Sequence, residues 1–438
     1  MKDHKIGVLS GMGMGIANMI GAGVFLSASY MPLDLNPQQI LVAWIIGTLL
    51  ALAGARAYSC IAQIVPHSGG EYRILSTLVH PVLGYLAGWA SLLIGFSAPI
   101  AINAMATGSF ARTLYPEINP TLVAALMILA LTAAHAIGIR VSLTAQNSLV
   151  ALKILLVVGF IAVGLIYGSK TWPDWTPVNE SEGFPVGSFV RNLFFIAFAF
   201  SGWNAAIYAA SEFRNPKRDI PRAMILGCII VGILYLCINW VFIANLNPAQ
   251  LQDISFSDTD RITTLGVLII GNLMGEGYAA AMTILMIIAF ISSASAMTFL
   301  GPRVYAAMAR DGFLPAAMKG KEGKPPVGAV LLQGGIALFL VFVTQLRGLL
   351  GNVGAILTLF SALTIFSLFW ICFRRREYPR PAALVLIAGG FYLIVSIIML
   401  FFGFIGGQAS LQLNLLVGAC MMATLIGYFI AKRKMKNR

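Results

Sequence analysis

GVLSGMGMGIANMIGAGVFLSASY, residues 7–30, is apolar enough to cross a membrane and unusually rich in glycine for a helix that does so. Glycine stands at 7, 11, 13, 15, 21 and 23. Each costs about 1 kcal/mol against alanine in a helix interior, and Gly21-Ala22-Gly23 concentrates that cost in the middle of the run. Small residues also let membrane helices approach closely. Bare backbone at mid-membrane depth, however, survives only where it is buried in protein or lines a cavity. A second run, SFVRNLFFIAFAFSGWNAAIYAASEF at 188–213, repeats the pattern, with Phe200-Ser201-Gly202-Trp203 at its centre.

The rest of the chain matches that membrane setting. Of its 438 residues, 59% are hydrophobic and 10% are charged, against roughly 25% charged in a soluble domain. This excludes a cytosolic enzyme, a secreted disulfide scaffold, a disordered region and a DNA-binding protein. The five cysteines lie in apolar runs without metal-ligand spacing and read as small buried hydrophobes. No small-residue cleavage site precedes the first run, so it reads as a retained helix rather than a signal peptide.

A bilayer-crossing helix needs about 20 apolar residues. Such segments lie near 7–30, 40–64, 81–112, 120–138, 143–168, 188–213, 221–246, 275–309, 327–346, 348–373, 382–405 and 411–431. The expectation is an all-α membrane protein of twelve spans with both ends on one side. With that side cytoplasmic, the inner segments hold 23 of the 29 Lys and Arg residues and the outer ones five, leaving Lys153 within a span. The formal charge of +13 is thus a topology signal and a contact with anionic lipid, with no nucleic acid needed. The outer segments 171–185 and 245–261 are acidic and turn-rich. One membrane domain is expected, with termini cytoplasmic in the cell (inner) membrane.

Interrupted spans in matching places of two five-helix halves point to the binding site of a secondary transporter. The halves here are 7–168 and 188–373, an inverted repeat followed by helices 11 and 12 over 382–431. The second half of a broken span 1 offers N–H groups and a positive dipole end to a carboxylate. Half-helices ending at the breaks offer carbonyls to an ammonium. A site for both charges with few charged side chains suits an α-amino acid, although a backbone-lined cavity also suits an ion.

At the motif level the chain resembles the amino acid–polyamine–organocation transporters, most closely their L-type amino acid transporter branch in its bacterial form. The matching stretches are ANMIGAGVF (17–25), PHSGGEY (66–72) with GYLAGW (84–89), GIRVSLTAQNSLVALK (138–153), FAFSGWN (198–204) with EFRNPKRDIP (212–221), and RVYAAMARDGFLP (303–315). The resemblance implies a 5+5 inverted-repeat core with discontinuous helices 1 and 6, and alternating access. It implies substrate contact at Ile20, Gly21, Ala22 and Gly23, and at Phe198, Ala199, Phe200, Ser201 and Gly202, with Phe198 as a lid and Tyr235 on the cavity wall. Departures fall at Ala22, where a hydroxyl is usual, Asn18 (threonine), Ser201 (glycine) and Cys60 (glutamate). The segment 112–120 lacks cysteine, so the disulfide-linked heavy chain of animal members is not expected.

Lys153 is the basic residue deep within a span. An ionisable group there marks a functional site by default, set against a lysine that snorkels to the interface. The resemblance places its ammonium where sodium-coupled relatives bind an ion, between spans 1, 5 and 8, with Ser292 and Ser293 as hydrogen-bond acceptors. The sixteen carboxylates fall outside mid-membrane, so cationic substrates lack a buried partner and a neutral amino acid fits best. His135 reads as a packing residue. The expected activity is sodium-independent exchange of neutral L-amino acids. The alternatives are a proton-coupled symporter if Lys153 releases its proton, or a passive channel or sensor. No catalytic grouping, metal cluster, cofactor motif or Walker A sequence is present, and no enzyme is expected.

Overall fold

A computed structural model describes residues 6–137, 143–179, 182–246, 265–320, 325–374, 377–405, 424–429 and 432–433. Among these every regular element is helical, apart from one isolated bridge between Ile6 and Phe213. Nine helical segments are long and apolar enough to cross a membrane, and Val186–Ala199, Leu265–Met274 and Val327–Val343 are shorter apolar helices.

In chain order we label the helices α1 (Val8–Met19), α2 (Ala22–Tyr30), α3 (Pro37–Ile64), α4 (Gly70–Leu78), α5 (Pro81–Leu114), α6 (Pro120–Ile137), α7 (Leu143–Tyr167), α8 (Val186–Ala199) and α9 (Ala205–Tyr208). They continue as α10 (Pro216–Asn245), α11 (Leu265–Met274), α12 (Glu276–Arg310), α13 (Val327–Val343), α14 (Leu346–Arg374) and α15 (Ala383–Ile405). Every expected span from the first to the eleventh coincides with a helix or a broken pair of helices. The twelfth lies outside the described residues except 424–429, as do Cys420, residues 138–142 of the span 4–5 motif, the 247–261 part of the outer segment and several of the basic residues counted above.

Local chemistry sets many boundaries. Proline opens α3, α5, α6 and α10, where its missing N–H costs nothing. Asn36 and Gln39 form a reciprocal capping box at the start of α3. Pro99 cannot return a hydrogen bond to the preceding turn, and α5 widens into a π segment at Ser91–Ser97 just before it. There the Ser97 hydroxyl donates to the Leu92 carbonyl, 2.6 Å away.

Packing centres on α10, which lies against both α3 and α1, and on α5 with α12. Outward faces are apolar: Leu122, Leu155, Ile166, Phe339, Ile387 and Phe401 are each more than half exposed, as a lipid-facing surface requires. Two elements were not foreseen. α4 lies in the connection between the second and third spans, and α11 lies in the connection before the eighth.

Candidate substrate site at two broken helices

The first break falls at Ile20 and Gly21. Ile20 leaves the helix at ψ 90°, Gly21 is extended, and Ala22 already begins α2. Gly23 is therefore helical and not part of the break. Its role is close approach: a Cβ there would meet the Ala199 Cα at 2.8 Å and the Phe198 ring at 3.1 Å. At Gly21 a Cβ would meet Ser293 Oγ at 2.7 Å and Asn103 Oδ1 at 2.9 Å. The N–H of Ala22, expected to face a carboxylate, donates to Asn103 Oδ1 at 3.1 Å. Asn103 is held in turn through its amide, which donates to the Pro99 carbonyl.

The carbonyls at the end of α1 lack partners within the helix, and other helices supply them. Lys153 of α7 donates from Nζ to the Ala17 carbonyl at 3.1 Å and to the Ile20 carbonyl at 3.0 Å. Ser293 of α12 donates to the Asn18 carbonyl at 3.4 Å. Tyr235 of α10 donates to the Met19 carbonyl at 2.7 Å, and its oxygen lies 3.0 Å from that of Ala199 at the end of α8. Four consecutive carbonyls thus take donors from three helices, and Tyr235 joins the two breaks directly. Lys153 is 1% exposed and does not snorkel. Its hydrogen bonds go to backbone carbonyls, while the Ser293 hydroxyl is directed to Asn18; among the described residues no hydrogen bond joins Ser292 to Lys153.

The second break is longer. α8 ends at Ala199, and residues 200–204 turn before α9. Gly202 has φ +107°, a region where side chains are strained, and a Cβ there would collide with Asn18. Trp203 is packed edge-on against Tyr58, with ring centroids 4.7 Å apart.

A cavity of about 60 Å³ lies behind this break, lined among others by Asn18, Ser201, Asn204, Tyr208, Ser361 and Tyr392. Of the ten expected substrate contacts, Phe200, Ser201 and Gly202 reach this cavity. Ile20, Gly21, Ala22, Gly23, Phe198, Ala199 and Tyr235 are buried in helix contacts beside it. The cavity wall from α14 and α15 and the cap from Asn103 escaped the sequence reading. A lone asparagine in an apolar span was the available signal for Asn103. His135 bonds the Ser295 hydroxyl at 3.0 Å, a satisfied packing residue.

The sequence profile of the amino acid permease family matches residues 6–430. The chain belongs to the amino acid permease family. The resemblance to the amino acid–polyamine–organocation superfamily is thereby borne out. The permease is 24% identical over 413 residues to the b(0,+)-type amino acid transporter 1 of Mus musculus, covering 91% of this chain and 82% of that protein. It is 25% identical over 411 residues to the large neutral amino acids transporter small subunit 2 of Homo sapiens, covering 91% and 75%. The rabbit (Oryctolagus cuniculus) b(0,+)-type amino acid transporter 1 is 25% identical over 396 residues, covering 86% and 78%. The permease is a multi-pass membrane transporter and not an enzyme. Among its described residues, no group of three or more His, Cys, Asp or Glu side chains is placed to hold a metal ion.

Proposed function

We propose that this permease carries neutral L-amino acids by alternating access, as a sodium-independent exchanger in the cell (inner) membrane with both termini cytoplasmic. Its working core is the pair of inverted repeats 7–168 and 188–373, followed by helices 11 and 12 over 382–431. The substrate site is formed by Ile20, Gly21, Ala22, Gly23, Phe198, Ala199, Phe200, Ser201, Gly202 and Tyr235 once the two breaks separate. Lys153, with Ser292 and Ser293 nearby, stands in for a coupling ion.

The observation that carries this reading is the Lys153 ammonium on the Ala17 and Ile20 carbonyls. A fixed cation there supplies the charge a bound sodium ion would bring, to the backbone that must hold its unwound shape. Neutral substrates are supported by the chemistry around the cavity. Among the described residues that line the cavity none is a carboxylate, and Glu71, which bonds the lining residues Asn204 and Tyr208, already takes hydrogen bonds on both oxygens. The relatives' names, amino acids in one case and large neutral amino acids in another, support the same class. The segment 112–120 contains no cysteine, which supports a carrier that needs no disulfide-linked heavy chain.

The test is a thermal-shift screen of the purified protein against the twenty amino acids, in sodium and in choline buffer. A ligand that binds only the folded state raises the melting temperature. Neutral amino acids are expected to raise it equally in both buffers. Stabilisation by lysine or arginine alone, or only in sodium, would overturn the proposal.

A further inference from the structure

We propose that Glu71 is a proton-binding site of the permease, filled from the cavity while the α4 end is closed and emptied when that end opens. Glu71 lies in the first turn of α4 and is 5% exposed. Tyr58 of α3 donates to its Oε1 at 3.1 Å, Asn204 donates to Oε1 at 2.7 Å, and Tyr208 of α9 donates to Oε2 at 2.6 Å. All three partners are neutral.

Neighbouring cations do not pair with it: Arg56 of α3 forms no ion pair or hydrogen bond with Glu71, and the others are committed elsewhere. Arg73 of α4 pairs with Asp311 at 3.1 Å, with Tyr72 also donating to Asp311. Arg303 of α12 pairs with Glu212, and Arg310 donates to the Ala306 carbonyl. Tyr392 of α15 acts on the carboxylate at longer range, Ser361 and Thr364 of α14 bond Tyr58 through their hydroxyls, and Tyr85 of α5 packs on Phe313. A buried carboxylate with no cation is poorly solvated as an anion. The three donors favour the charged form, but burial outweighs them and holds the carboxyl above the ordinary glutamate range.

The path for the proton is short. Asn204 and Tyr208 both line the cavity and both bond Glu71, so one side chain separates cavity water from the carboxylate. A tyrosine hydroxyl accepts as well as donates. A hydronium in the cavity gives its proton to the Tyr208 oxygen as the original hydroxyl proton passes to Glu71 Oε2. Water, an unchanged tyrosine and a neutral carboxylic acid result. When α4 separates from α9, water reaches Glu71, its proton affinity falls towards the ordinary value near about 4.3, and the proton leaves on that side. Because the closed form holds the proton more tightly, acid favours closure. This last coupling rests on the alternating-access reading, whereas the binding site does not.

The test is a pH titration of the protonated-carboxyl C=O stretch by infrared difference spectroscopy of the full-length protein in lipid. The expected parent spectrum keeps a carboxylic-acid band well above the ordinary glutamate range, and E71Q abolishes that band. Tyr208→Phe, which removes a donor to the anion, is expected to raise the midpoint by about one pH unit or more. Identical spectra for the parent and E71Q, or a band that titrates in the ordinary range, would overturn the proposal. If E71Q does not fold, the Tyr208→Phe arm decides: an upward shift supports the site and an unmoved band refutes it. A failure of the transport proposal leaves this titration unaltered.

Discussion

Lys153 has the most to lose from a single change. Its ammonium is wholly enclosed and makes two hydrogen bonds to carbonyls of the first break. Hydrogen bonds to a charged group contribute about 1.5–3 kcal/mol each. Lys153→Ala is therefore expected to weaken amino acid affinity about tenfold or more, measured by tryptophan fluorescence or calorimetry on protein that still elutes as a single species. Gly202 answers to backbone geometry instead. At φ +107° with Asn18 against its α-carbon, Gly202→Ala should cost about 1–3 kcal/mol of stability, read as a lower melting temperature without ligand. Lys153 was legible in the sequence because a lone cation in an apolar run has few reasons to exist. Its carbonyl partners followed from the broken helix, but their exact identity depends on how α7 is turned against α1, which one-dimensional spacing does not specify.

The two breaks work as a coupled pair through α10. The Tyr235 hydroxyl bonds the Met19 carbonyl and lies 3.0 Å from that of Ala199. Tyr235→Phe leaves a buried carbonyl short of a partner, at about 1–3 kcal/mol, and frees each break to move without the other. Uptake into liposomes is expected to slow more than equilibrium binding weakens; an equal loss of both would assign Tyr235 to the binding surface alone. Phe198→Ala should likewise slow uptake more than it weakens binding, because the ring packs over Gly23 at the meeting of α2 and α8. Long apolar runs made most helices legible, since a membrane demands about 20 such residues in a row. Shorter elements were not. α11 has ten residues, below that length, and α4 buries a glutamate whose partners Asn204 and Tyr208 lie 133 and 137 residues away. The glycines centre the first break on Gly21-Ala22-Gly23, whereas the helix opens at Ile20 and Gly21, because glycine frequency marks where a helix can break, while Asn103 and Lys153 decide where it does.

Over the whole molecule, ionic ties close both ends of the broken helices. Arg303 meets Glu212 through two contacts of 2.6 and 3.1 Å, and Arg73 meets Asp311, on the side of α4. At the other end Asp34 is held by Arg191 and by Asn179, the latter at 2.9 Å. The Arg303–Glu212 pair is partly exposed, so its worth is about 0–1 kcal/mol. Glu212→Gln should shift the balance between closed and open forms by at most about fivefold, visible as faster amide exchange in α9. The central claim is that these ties and breaks serve a carrier whose cation is built in. Its most direct test is uptake of a labelled neutral amino acid by proteoliposomes, with and without the same amino acid inside, in sodium and then in choline. Internal amino acid is expected to accelerate uptake, equally in both salts. Uptake indifferent to internal substrate, or lost in choline, would contradict it.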